Sequence, residues 1–177
     1  MATEAVRTIG ENDNLVARSH SHGAIAALTD TDAAYIAGMI DADGSITVSA
    51  QDGRVKPLVC VFNSNVPLID WLSVTIGAGC SYRYKSGAKR PDQDGARWNP
   101  VHRYQITGRK AQSLLTQLLP HLRVKRAQAE LVLSVPMRGR DFGRAATAEQ
   151  RAAAADVLGR IRVMNARGVK VEASNDG

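Results

Sequence analysis

Tyr35-Ile36-Ala37-Gly38-Met39-Ile40-Asp41-Ala42-Asp43-Gly44-Ser45-Ile46 is the stretch from which the rest of the chain can be read. Asp30, Thr31 and Asp32 precede it as a helix start, and Gly44 stops the helix after about Ala42. Within the helix, small residues recur four apart: Ala33 and Ala37, Ala34 and Gly38, Gly38 and Ala42. That spacing lets a second helix approach closely, with Ile36, Met39 and Ile40 packing around the seam. Two carboxylates, Asp41 and Asp43, sit at the helix C-terminus, where the partial negative charge disfavours them. They require a compensating cation or a local hydrogen bond. Asp-Gly alone is also an ordinary turn. Asp-x-Asp-Gly-Ser is also a fragment of a calcium loop, but here the later ligands of such a loop are missing.

Outward from the helix, Ser45 to Ala50 alternates, with Ile46 and Val48 on one side and Ser45, Thr47 and Ser49 on the other. This is the pattern of a half-buried strand. Asp52-Gly53 marks a hairpin, and Val55 to Phe62 returns with Val55, Val59 and Val61 inward. Val66 to Ile76 reads as a helix with Pro67 in its first turn and Gly77 and Gly79 at its end. Ser81 to Lys85 and Val101 to Thr107 form a second strand pair, with Ser86 to Pro100 as an extended hairpin tip. Arg109 to Leu119 carries an apolar stripe of Leu114, Leu115, Leu118 and Leu119, and Pro120 ends it. Helices follow from Lys125 to about Val135 and, capped by Thr147, to about Asn165. The order of helix, hairpin, helix, hairpin and helices, with a weak repeat of helix plus two strands, predicts an α+β fold on a four-stranded antiparallel sheet. One face of that sheet is expected to carry Thr47, Ser49, Gln51, Arg54, Lys56, Arg83, Lys85, Arg103, Gln105 and Thr107, a polar and basic set suited to base edges.

The 177 residues suffice for one core. The polar residues 1–30 read as a flexible extension with one helical turn near Ala24 to Leu28, 31–166 as a single domain, and 167–177 as a loose tail. His20 and His22 lie in that extension and are not taken as a metal site. Net charge is −5 over residues 1–80 and +11 over 81–177. A basic half points to a polyanion, and nucleic acid is the commonest one. Cys60 and Cys80 form no CxxC pair, so neither zinc nor a disulfide framework is expected. Buried free thiols fit a reducing cytoplasm. No run approaches membrane length, and no membrane partner is expected.

Ile36 to Gly44 resembles the LAGLIDADG signature of the homing endonucleases, with Ile for the first Leu and Met for the second. The likeness continues through Val61-Phe62-Asn63-Ser64-Asn65, Leu68-Ile69-Asp70-Trp71-Leu72, Ile76-Gly77-Ala78-Gly79 and Leu114 to Leu133, covering residues 32 to about 165. One motif is present, so the chain resembles the homodimeric members. The resemblance implies the homing-endonuclease fold and Mg²⁺-dependent, site-specific cleavage of double-stranded DNA on a long pseudo-palindromic target. It also implies Mn²⁺ as a substitute and Ca²⁺ as supporting binding without cleavage. By position, Asp43 matches the metal-binding carboxylate, and the Ala42 carbonyl is the neighbouring ligand. Asp41 matches a residue that caps a helix and supports the interface, together with Ala34, Ala37 and Gly38. Lys125 matches a lysine that orders water near the scissile phosphate. Asn63 falls where a glutamine or asparagine touches the water network, with Asn65 as the other register. Arg123 and Arg126 are expected on phosphates. The alternatives are an RNA maturase, with RNA as partner, and a non-cleaving DNA-binding regulator.

Overall fold

The computed structural model describes residues 15–51, 54–85, 98–137 and 147–165. The chain follows the order β1 (Leu15–His22), α1 (Asp30–Asp43), β2 (Gly44–Gln51), β3 (Arg54–Asn63), α2 (Val66–Ile76), β4 (Ala78–Tyr84), β5 (His102–Thr107), α3 (Arg109–Leu118), α4 (Arg126–Leu133) and α5 (Ala148–Asn165). The expected tip at Ser86 to Pro100 lies outside the described residues over 86–97, as do the Asp52-Gly53 turn, the first fourteen residues and the expected tail from 166.

Local chemistry explains most of these boundaries. Thr29 caps α1, its Oγ1 accepting the Asp32 N–H at 3.1 Å. Asn65 caps α2 in the same way, and Gly77 closes that helix in the left-handed region at φ 73°. Thr147 and Gln150 form a reciprocal capping box at the start of α5. Gly44 turns the chain sharply from α1 into β2. A Cβ there would lie 2.6 Å from the Ile40 Cα and 3.0 Å from the Cys60 carbonyl oxygen, so no larger residue fits.

The sheet is antiparallel throughout, in the order β1-β4-β5-β3-β2. The helices cover one of its faces. The core lies between, built from Ile36, Ile40, Val59, Ile69, Leu72, Tyr104, Ile106, Leu114, Leu115 and Leu118. This is the α+β architecture read from the sequence, and the helix-plus-hairpin repeat is visible in it. No described helix is long and apolar enough to cross a membrane.

Two readings of the N-terminal region are corrected. Residues 15–22 were expected in a flexible extension but form a fifth strand on the free edge of β4, from Leu15 opposite Tyr84 to His22 opposite Ala78. An edge strand offers unpaired backbone donors and acceptors to any extended segment that reaches it. That attraction lies in the backbone, so a polar segment with little apolar alternation can answer it. Residues 24–28 form no helical turn. They are pinned in extended form, with the Ala26 N–H on the Ile76 carbonyl and Gln117 bridging the Ala26 carbonyl and the Leu28 N–H.

Candidate functional site

The end of α1 is tied to the start of α4 by two reciprocal contacts. The Asp41 carboxylate accepts backbone N–H bonds from Arg123 at 2.7 Å, Val124 at 3.2 Å and Lys125 at 2.8 Å. In return, the Lys125 ammonium donates to the carbonyls of Ile40 at 2.7 Å and Asp41 at 2.8 Å. A carboxylate thus satisfies the positive end of one helix, and an ammonium satisfies the negative end of the other. This meets the requirement posed by two acids at a helix C-terminus. Burial pushes the Asp41 carboxyl up, but the N–H bonds of Arg123, Lys125 and Val124 and the charge of Lys125 outweigh it, and its pKa is lowered.

Asp41 is therefore committed to structure, whereas Asp43, two residues on, is exposed, and among the described residues no partner engages its carboxylate. Ala42 is exposed beside it. Lys125 uses two of its three ammonium donors on α1. Asn63 accepts the Asn65 N–H at 2.8 Å in a local turn at the end of β3, and Asn65 in turn caps α2. Arg123 and Arg126 are exposed, the latter paired with Glu130 one helical turn on.

The seam of α1 is narrower than the spacing suggested. Ala34, Gly38 and Ala42 are exposed along one face, and a Cβ on Gly38 would meet nothing within 4 Å. Ala37, expected at the interface, is 0% exposed and faces its own core with Ala33, Ile36 and Ile40. The core claims that side of the helix first, and only one of the two small-residue rows faces outward.

The sheet face turned away from the helices carries Thr47, Ser49, Lys56, Arg103, Gln105 and Thr107, as expected from the alternation of Ile46, Val48, Val59, Val61, Tyr104 and Ile106 into the core. The backbones of Gln51 and Arg54 pair across the hairpin, but their side chains lie outside what is described. Arg83 is a correction. Register places Cys80 and Tyr82 opposite Gln105 and Arg103, so Arg83 falls on the helix side, where it pairs with Asp70 of α2. Lys85 follows the end of β4 and is exposed. The two tyrosines of Ser81-Tyr82-Arg83-Tyr84 suggest an inward face, but the smaller Ser81 is the residue that shares the core side with Tyr104.

Sequence reasoning also missed what stands among the polar residues. Leu58, Cys60, Phe62 and Tyr82 occupy this outer face, and the Arg103 guanidinium lies 4.3 Å from the centroid of the Tyr82 ring. Cys60 is a buried thiol outside any disulfide, whose pKa burial raises against the opposing charge of Arg103; Cys80 is half-buried and likewise outside any disulfide. Gly79 lies beside this pairing with φ +102°, and a Cβ there would strike the Tyr104 hydroxyl and the Gln105 carbonyl.

No protein-family model matches the chain. The DNA endonuclease I-CvuI of Chlorella vulgaris is 35% identical over 109 residues, which are 58% of this chain and 62% of that protein; the match thus spans under two thirds of the relative's length. In structure, the chain is similar to the homing endonuclease I-CvuI in complex with the I-CreI target, with a TM-score of 0.56 and 23% identity, over 79% of this chain and 85% of that one. It is similar also to the archaeal intron-encoded homing endonuclease I-Vdi141I complexed with DNA, with a TM-score of 0.55 and 17% identity, over 80% and 89%. The chain has the fold of the homing endonucleases.

Proposed function

We propose that the chain is a site-specific DNA endonuclease that works as a homodimer on a long pseudo-palindromic duplex. The observation that carries this reading is the contrast at the end of α1. Asp41 is consumed by α4, while Asp43, exposed and without a partner among the described residues, ends a helix whose exposed face is lined by Ala34, Gly38 and Ala42. A mid-helix glycine costs about 1 kcal/mol relative to alanine. Among the described residues nothing requires Gly38 to lack a side chain, and a close neighbour outside the chain would account for it. Pairing α1 with its copy places two Asp43 carboxylates about a two-fold axis, each for one DNA strand. The 35% identity to a named DNA endonuclease over 109 residues supports the same reading.

The donor chemistry fits a divalent ion. Asp43 and the Ala42 carbonyl offer hard oxygens, and Mg²⁺ takes one or two carboxylates while relying on waters and phosphate oxygens for the rest. Among the described residues no three His, Cys, Asp or Glu converge, and in this reading each copy brings one Asp43 carboxylate with its Ala42 carbonyl to the pair. When bound, such an ion makes a water more acidic and neutralises charge on the phosphodiester. Lys125, anchored on α1, places a fixed positive charge beside the developing negative charge. The bare sheet face lies in the major groove and reads the half-site, while Arg123 and Arg126 contact phosphates.

A cleavage selection tests the proposal. The protein is incubated with a randomised duplex library and Mg²⁺, the cut ends are sequenced, and Asp43→Asn is run in parallel. The expected result is cut ends around one pseudo-palindromic motif, absent in the variant while its DNA binding persists. Enrichment by binding without a Mg²⁺-dependent cut, or preferential retention of RNA, overturns it in favour of a regulator or a maturase.

A further inference from the structure

Arg103 is the cation at the centre of the bare sheet face, and its surroundings differ from those of the other described arginines. Register sets it directly opposite Tyr82 on one side and Phe62 on the other. Its guanidinium lies over the Tyr82 ring, and no described carboxylate pairs with it, in contrast to Arg83, Arg126 and Arg160. Its Nε is buried and has no hydrogen-bond partner. The buried Nε is therefore not offered to a ligand, which leaves the two terminal nitrogens as the donors of this side chain. The same Tyr82 also holds Gln105, whose Nε2 donates to the phenol oxygen at 3.0 Å. That bond leaves the Gln105 Oε1 and one N–H unused by Tyr82.

We propose that Tyr82 is a positioning residue that fixes Arg103 and Gln105 as a pair of base readers, Arg103 end-on for guanine and Gln105 for an adenine nearby. The inference rests on the endonuclease reading and deepens it. A guanidinium with two free parallel donors matches the O6 and N7 acceptors of guanine, and a carboxamide with one acceptor and one donor matches N6 and N7 of adenine. Two residues apart on one strand face is about 6.6–7 Å, or roughly two base-pair steps of about 3.4 Å, so the two readers address different pairs. One ring holds both side chains, so neither must be ordered when DNA arrives. A guanidinium retained over a ring, with no described carboxylate beside it, suits a group whose partner is supplied by the target.

A binding selection from randomised duplex in Ca²⁺ tests this, with the melting temperature of each variant recorded. Wild type is expected to show one guanine and one adenine preference, no more than about two steps apart, in each half-site. Arg103→Lys should lower the guanine preference about tenfold or more and leave the adenine position alone. Tyr82→Phe, which keeps the ring, should relax the adenine position while the guanine preference persists. Tyr82→Leu should relax both, with the other motif positions unchanged. If Tyr82→Leu does not fold, Tyr82→Phe still separates the two preferences. A motif indifferent to Tyr82→Phe and Arg103→Lys, or one that weakens equally at every position, overturns the inference and leaves the endonuclease reading intact. A wild type that enriches no duplex motif overturns the endonuclease reading itself.

Discussion

The two acids of the motif differ in what they touch, and that difference can be measured one residue at a time. Asp41 accepts three N–H bonds and its pKa is lowered, so its contribution to stability is present above its unfolded value and is lost as pH falls through the folded one. Asp41→Asn is therefore expected to lower the melting temperature at neutral pH. The gap to wild type should shrink below about pH 4, where the wild-type carboxylate itself protonates. Thermal melts between pH 7 and pH 3 check this; a gap that widens in acid contradicts the role of Asp41. On the scale of a lost helix cap, the neutral-pH effect is about 1 kcal/mol. Asp43→Asn has no such bonds to lose among the described residues and should melt like wild type. The need for a cation or hydrogen bond at Asp41 was legible from helix electrostatics alone. Its supplier was not, because Lys125 lies 84 residues away and no local pattern joins them.

At the scale of elements, the glycines sort by what surrounds them. Gly38 faces open space on α1, whereas Gly44 and Gly79 are locked against backbone and the Tyr104 hydroxyl. Gly38→Leu should leave the monomer as stable as before or slightly more so, since helix propensity improves by up to about 1 kcal/mol. The same variant should weaken self-association at least tenfold in sedimentation equilibrium. Gly79→Ala should instead destabilise the chain by at least about 1–2 kcal/mol from its left-handed backbone alone, checked by urea unfolding. Helix boundaries were readable because caps and glycines announce them: Thr147 and Gly77 do so here. The facing of β4 was not. Tyrosine suits either side of a sheet, and a misjudged parity moves Arg83 to the wrong face. Only pairing with β5 settles it, and that pairing is not local.

Across the whole molecule, the described helices occupy one face of the sheet, and the other carries Lys56, Arg103 and Gln105 with no described helix over it. If that face neutralises about six to ten phosphates, affinity for duplex DNA should fall by roughly 10³–10⁵ between about 50 and 200 mM salt. Filter binding across that range checks it, and a salt-independent affinity contradicts it. The fifth strand belongs to the same scale. Removing residues 1–22 should leave the β4 edge open, lower stability and promote association in light scattering. Its presence was illegible because Arg18-Ser19-His20-Ser21 has no apolar alternation to announce a strand.

The reciprocal tie between Asp41 and Lys125 also sets a clock. Chains emerge from the ribosome at about 5–20 residues per second. The 84 residues separating the partners thus take on the order of 4–17 s to follow Asp41 out. Over that interval a nascent chain already displays Asp43 but has neither the ammonium that steadies the end of α1 nor the amides that hold Asp41. The end of α1 is therefore completed only as α4 begins to emerge, and a polypeptide truncated before residue 125 carries Asp41 and Asp43 without the means to hold them in place.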